Sequence, residues 1–168
     1  MQGYTLEELL HQSAGFSLYR ASAGGLENAL DRRKVILKIL HEDLPDPEDL
    51  ARLRYEREQT PAGPGVPGIV SAINLEQRGG VLVFDDPGGE LLKSAMRRTT
   101  NLAERLDLAI ALAKTLARLH RRDIIHKNLN PYTVFVRPAS PEEPGSFEAL
   151  LTGFEFSSRL SRQGSESV

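Results

Sequence analysis

One long helical pattern, flanked on both sides by short strand-like runs, limits this chain more than any other feature. It opens at Asn101, and Glu104 three residues on makes a capping box. Leu102, Leu106, Ala109, Ile110, Ala113 and Leu116 then keep helical spacing to about Arg121, and they are the expected core-facing stripe. Strand candidates precede it at 4–10, 16–21, 33–40, 69–75 and 81–84 and follow it at 133–136 and 147–152. A second helix start stands at Asp46-Pro47-Glu48-Asp49, where Asp46 can cap, Pro47 suits the first helical position and two acids face the positive end of the dipole. That helix is expected to stop near Gln59, before Thr60-Pro61, and a short helix is expected from Glu90 to Arg98. The order β-β-β-α-β-β, then helices, then a small hairpin predicts an α+β fold.

Turn signals separate the runs: Gln12-Ser13-Ala14-Gly15, Gly24-Gly25, Arg78-Gly79-Gly80 and Asp85-Asp86-Pro87-Gly88-Gly89. Residues 60–68 hold three prolines and three glycines and read as an irregular loop, as does the stretch from Pro138 to Ser146. With 168 residues the chain is too short for two full-sized domains. Its 40% hydrophobic and 26% charged composition excludes wholesale disorder. Twenty-one Lys+Arg against 23 Asp+Glu give a net charge of −2, so no basic field points to nucleic acid. Cysteine is absent, which removes disulfides, thiolate metal sites and thiol nucleophiles, and four scattered histidines without an H-x-x-x-H pair argue against zinc. No apolar run is long enough to insert in a bilayer, and MQGYTLEELL lacks the features of a signal peptide, so a cytoplasmic chain is expected.

The most specific segment is Ile124-Ile125-His126-Lys127-Asn128-Leu129-Asn130-Pro131-Tyr132-Thr133, directly after the long helix. It resembles the protein kinase catalytic loop H-R-D-L-K-P-x-N. It is closest to the variant H-K-D-I-N-P at the N-terminus of large bacterial signalling proteins, where a Ser/Thr-kinase-like domain precedes an ATPase module and a sensor histidine kinase. Val35-Ile36-Leu37-Lys38 is similar to the V-x-x-K strand, Val66-Pro67-Gly68-Ile69-Val70 to H-P-N-I-V, and Leu151-Thr152-Gly153-Phe154-Glu155 to I-T-D-F-G. The resemblance implies a five-stranded antiparallel small lobe over residues 1–86. The first helices and catalytic-loop hairpin of a truncated large lobe would occupy 87–160, with a polar tail at 161–168.

It also implies roles for particular residues. Lys38 would contact nucleotide phosphates and pair with Glu56, Glu58 being the alternative on another face of the helix. The three positions of the phosphate-clamping glycine loop fall on His11, Ser13 and Phe16, with Gly15 beside them, so a plain hairpin competes with a clamp. If Phe84 is the gatekeeper, Asp85 would offer its carbonyl to an adenine edge, while Pro87 has no N–H to give. His126 would pack inside and bond backbone, and Lys127 would touch an activation segment or face solvent. Asn128 stands where the family has its catalytic aspartate, Thr133 where it has a metal-binding asparagine, and Gly153 where D-F-G has its aspartate. An amide cannot accept the substrate's proton, and Mg²⁺ wants carboxylate and phosphate oxygens.

These replacements strike separate requirements of phosphoryl transfer. The leading expectation is a degenerate, pseudokinase-like regulatory or binding module in signalling. Its site positions are Asn128 and Lys38, with Lys38, Glu56, Asp85, Ser13 and Gly15 at the nucleotide cleft and no metal site at Thr133 and Gly153. Restoring aspartate at 128 and 153 should then be structurally tolerated. The alternatives are a divergent active Ser/Thr kinase using ATP, with Glu155 as metal ligand, and a nucleotide-free protein-interaction scaffold. ATP is a candidate cofactor and Mg²⁺ a weak or absent one. Expected partners are other domains or proteins of a signalling pathway, including a second copy through an incompletely covered large-lobe face; nucleic acid and membrane insertion are not expected.

Overall fold

In a computed structural model of the chain, residues 3–24, 33–41, 45–60, 67–76, 80–140 and 146–160 are described. Gly25, Pro61, Val66, Arg78, Gly79 and the tail 161–168 lie outside them, as do residues 141–145 of the proline-rich loop.

The run of β-branched and leucine side chains at Arg33–Leu40 (β3) is buried on both faces because it is the centre of a five-stranded antiparallel sheet. Tyr4–Gln12 (β1), Phe16–Ala23 (β2), Ala72–Glu76 (β4) and Val81–Asp85 (β5) complete it in the order β1-β2-β3-β5-β4. The two-residue period of β3 sends Val35 and Leu37 to one side, with Val81 and Val83. Ile36 goes to the other, with Leu18, Leu82, Phe84 and Leu53. Lys38 shares the parity of Ile36 and lies opposite Leu18 and Leu82, so its stem enters the same face.

That face meets Pro47–Gln59 (α1). Asp46 caps it by accepting the Glu48 N–H at 2.8 Å, and Thr60 ends it, its own N–H bonded to the Glu56 carbonyl. The helix is strongly polar, and Leu53 and Glu56, three apart, are its buried residues.

The expected strand 69–75 begins only at Ala72. Ile69 instead forms a parallel bridge to Leu151, with Val70 N–H on Leu151 O at 2.9 Å and Leu151 N–H on Gly68 O at 2.8 Å. This strap ties the large sheet to a second one. The helix expected from Glu90 starts two residues late, at Leu92–Arg98 (α2), because Glu90–Leu91 (β6) pairs with Val136 and Phe135. Burial of Leu91 beside Phe135 favours that pairing over another half-turn of helix. Val134–Pro138 (β8) and Phe147–Leu151 (β9) form the expected hairpin, giving the order β6-β8-β9. Ile124–Ile125 (β7) and Ser158–Arg159 (β10) make a further short pair absent from the sequence-based expectation.

Leu102–His120 (α3) is capped as expected, Asn101 Oδ1 accepting the Glu104 N–H at 2.8 Å. Of the expected inward stripe, Leu116 packs against the core, while Leu102, Leu106, Ala109, Ile110 and Ala113 are exposed. Leu108, Ala111, Thr115 and Leu119 are buried against β8 and β9, whereas Leu102, Leu106 and Ile110 are 71%, 53% and 49% exposed. The helix is apolar around most of its circumference, so packing decides: the Thr115 hydroxyl donates to the Ala149 carbonyl at 2.8 Å and fixes the rotation. No helix among the described residues is long and apolar enough to cross a membrane.

Candidate functional site

The cleft lies between the β1–β2 hairpin and α1 on one side and the segments 126–133 and 153–156 on the other. It has two chambers of about 330 and 320 Å³, and Phe16, Lys38 and Glu155 line both.

Lys38 Nζ stands 2.6 Å from Glu56 Oε2, and Glu56 is fully buried. Glu58 is exposed and takes no part. The other carboxylate oxygen of Glu56 accepts the Gly153 N–H at 2.9 Å, so the pair reaches from the five-stranded sheet across to the second half of the chain. Burial opposes the charge on Lys38, but Glu56 and Glu155 outweigh it and hold its pKa above the usual lysine value. Burial pushes Glu56 up, against the pull of Lys38. A 2.6 Å contact to an ammonium and a bond from a backbone N–H both suit the carboxylate, so the ion pair is the form we assign.

Glu155 is the second carboxylate at the lysine, with Oε2 at 3.5 Å from Nζ and otherwise without a hydrogen-bond partner. Its Oε1 accepts from Asn128 Nδ2 at 2.9 Å. Glu155 therefore sits between Lys38 and Asn128, the two side chains expected at the catalytic position of the cleft. The sequence signal was present in Thr152-Gly153-Phe154-Glu155, but nothing in spacing says which way a glutamate after a turn will point.

The catalytic-loop-like segment is closed on itself. His126 is buried, with Nε2 2.7 Å from the Thr152 carbonyl and Nδ1 accepting the Asn128 N–H at 3.2 Å, which is the neutral imidazole protonated on Nε2. Burial pushes its pKa down. Asn130 donates its side-chain amide to the Asn128 carbonyl at 3.1 Å and accepts the Tyr132 N–H at 2.9 Å. Thr133 Oγ1 accepts the Asn130 N–H and lies 3.0 Å from the Asn128 carbonyl. Lys127 adopts φ 61° and is exposed.

Gly153 has φ 81°, and a Cβ there would come within 2.5 Å of Thr133 Cγ2. The expectation that aspartate is tolerated at 153 is thereby overturned, because backbone conformation and the Thr133 methyl both exclude a side chain. Aspartate at 128 would face the Glu155 carboxylate at the distance where the amide now donates.

The Ser13–Phe16 turn is a closed hairpin. Ser13 N–H donates to Phe16 O at 2.9 Å and Phe16 N–H to Ser13 Oγ at 3.2 Å, so neither is left for a phosphate. His41 clamps it, with Nδ1 3.1 Å from Ala14 O and Nε2 2.7 Å from Ser17 Oγ. Gly15 has open space where a Cβ would stand. Ser13 and Gly15 line the smaller chamber. Asp85 does not line either one: its carboxylate pairs with Arg33, while Asp86 pairs with Arg20 at 2.8 Å and the Pro87 carbonyl accepts from Arg137. A contact that no sequence pattern announced closes the larger chamber: the His11 ring stacks on Tyr132 at 3.9 Å between centroids, joining β1 to the 126–133 loop.

No family model matches this chain, and no curated protein matches it. What the cleft can do therefore rests on its own geometry. Its donors do not fit Mg²⁺, because Gly153 supplies no ligand, Asn128 directs its NH₂ at Glu155, and Glu155 is engaged by Lys38. Among the described residues no group of three or more acids and histidines is arranged to hold a metal ion.

Proposed function

We propose that this chain is a kinase-like binding module that does not transfer phosphate, a pseudokinase small lobe with the start of a large lobe. The observation that carries this reading is the state of Lys38, held at 2.6 Å by Glu56 and at 3.5 Å by Glu155, in a cleft without an acid at 128 or 153. The five-stranded antiparallel sheet, the lysine–glutamate bridge to α1 and the buried His126 support the kinase-like part. The loss of the proton acceptor and metal carboxylate supports the inactive part.

The nucleotide-free scaffold is favoured over an ATP sensor by charge. One ammonium facing two carboxylates leaves the cleft net negative, and a polyphosphate would have to displace Glu155 to reach Lys38. An active kinase using Glu155 as metal ligand would need the same displacement. The module would act on other domains or proteins of a signalling pathway, through packing of α1 and β3 rather than chemistry.

The test is a calorimetric titration of the full chain with ATP, with and without Mg²⁺, beside a phosphorylation assay with labelled ATP. No saturable binding at millimolar ATP and no incorporated label are expected. Binding that requires Mg²⁺ and disappears in Lys38→Met would overturn the proposal.

A further inference from the structure

The outer face of α3 is complementary to itself when reversed, and we propose that it pairs with the same face of a second copy of this chain, antiparallel about a two-fold axis. This inference is independent of the reading given to the cleft.

Leu102, Leu106 and Ile110 project from the N-terminal half of α3 and are 71%, 53% and 49% exposed. Ala113 and Ala117 continue the same exposed face through the C-terminal half. Side-chain size is thus polarised along the helix, large and then small. An antiparallel pair lays Leu102 and Leu106 of each copy over Ala117 and Ala113 of the other, while a parallel pair sets large against large and leaves the alanines apart.

Charge is polarised in the same way. Along one flank of this face come Asp107, then Lys114, Arg118 and Arg121. Neither Asp107 nor Lys114 forms an ion pair among the described residues. In an antiparallel pair like flanks meet, so Asp107 of each copy faces Lys114 of the other, and the two-fold axis repeats the contact. A parallel pair would bring the two basic ends together. Beside this face a groove of about 330 Å³, lined by Leu92, Met96, Leu108, Ala109 and Leu112 among others, extends the apolar surface to α2, and Met96 is 51% exposed.

Sedimentation equilibrium of the full chain over a wide concentration range tests the proposal. A reversible dimer is expected, and Leu106→Glu should give a monomer with unchanged circular dichroism, because the side chain is outside the core. Asp107→Lys should weaken the dimer at least about tenfold, and adding Lys114→Asp should recover most of the loss. A monomer at every concentration overturns the proposal and leaves the face to a different protein. A dimer indifferent to Leu106→Glu shows that another surface is used, and one indifferent to Asp107→Lys overturns the antiparallel register.

Discussion

Replacing Lys38 by methionine leaves Glu56 fully buried with its charge unmatched, its one remaining bond being that from the Gly153 N–H. Methionine fills most of the same volume, so the loss is electrostatic rather than a cavity. Removing one partner of a buried pair costs about 3–5 kcal/mol. The protein has one escape, which is to protonate Glu56. From an ordinary value of 4.5, holding a proton at pH 7 costs about 3.4 kcal/mol at about 1.36 kcal/mol per unit. The variant should therefore be about 3 kcal/mol less stable than the parent at pH 7. In the variant the folded pKa of Glu56 lies above its unfolded value, so the folded state holds the extra proton and gains stability as pH falls toward 4.5. The deficit should shrink by about 1.4 kcal/mol per pH unit between pH 7 and 5. Urea unfolding of both proteins at pH 7, 6 and 5, with Lys38→Met/Glu56→Gln as control, measures it. The double variant should show little of this pH dependence. A cost under about 1 kcal/mol at pH 7, or one that does not change with pH, would refute the buried ion pair.

Gly153→Asp should lose at least about 2 kcal/mol in urea unfolding from φ 81° and the 2.5 Å approach to Thr133 Cγ2, and Gly153→Ala should lose nearly as much; a neutral Gly153→Ala would show that the loop relaxes. Glu155→Ala should remove one of the two carboxylates at Lys38, leaving its pair with Glu56 in place, so that inorganic tripolyphosphate binds the variant at least about tenfold more tightly than the parent by calorimetry, a gain lost again with Lys38→Met; equal affinity for the two would mean that Glu155 does not screen the lysine. His126 has its pKa pushed down by burial, so the stability it contributes is present above its unfolded value of about 6.5 and falls as pH drops through that value toward the lower folded one. His11 is pushed down in the same direction, so the loss measured by melting between pH 7 and 5 should be reduced, not abolished, in His126→Asn. Gly15→Ala should change stability by less than about 0.5 kcal/mol, since nothing stands where its Cβ would go; a large loss would mean that the turn depends on glycine.

Much of the site was legible because it depends on short-range rules. Asp46 and Asn101 cap where their side chains predict, since a cap needs only its own next few residues. The two-residue period of β3 sets Lys38 on the face of Ile36, whereas the choice of Glu56 over Glu58 rests on the family resemblance, and only the structure shows that Glu56 shares the buried side of α1 with Leu53.

What tertiary structure decided are the choices among locally equal options. α3 carries leucine or alanine around most of its surface, so its periodicity cannot name an inward face; contact with β9 does. Glu90 and Leu91 suit a helix, but pairing with β8 makes them a strand. Glycine at 153 is compatible with any φ, and only the packed Thr133 methyl shows that no other residue fits. The partner of Glu155, the stack of His11 on Tyr132 and the exposed line from Leu102 to Ile110 follow from segments far apart in sequence being brought together. Sequence fixes what each side chain can do within a turn or a strand; which charge it meets is set by the chain's return to the same place.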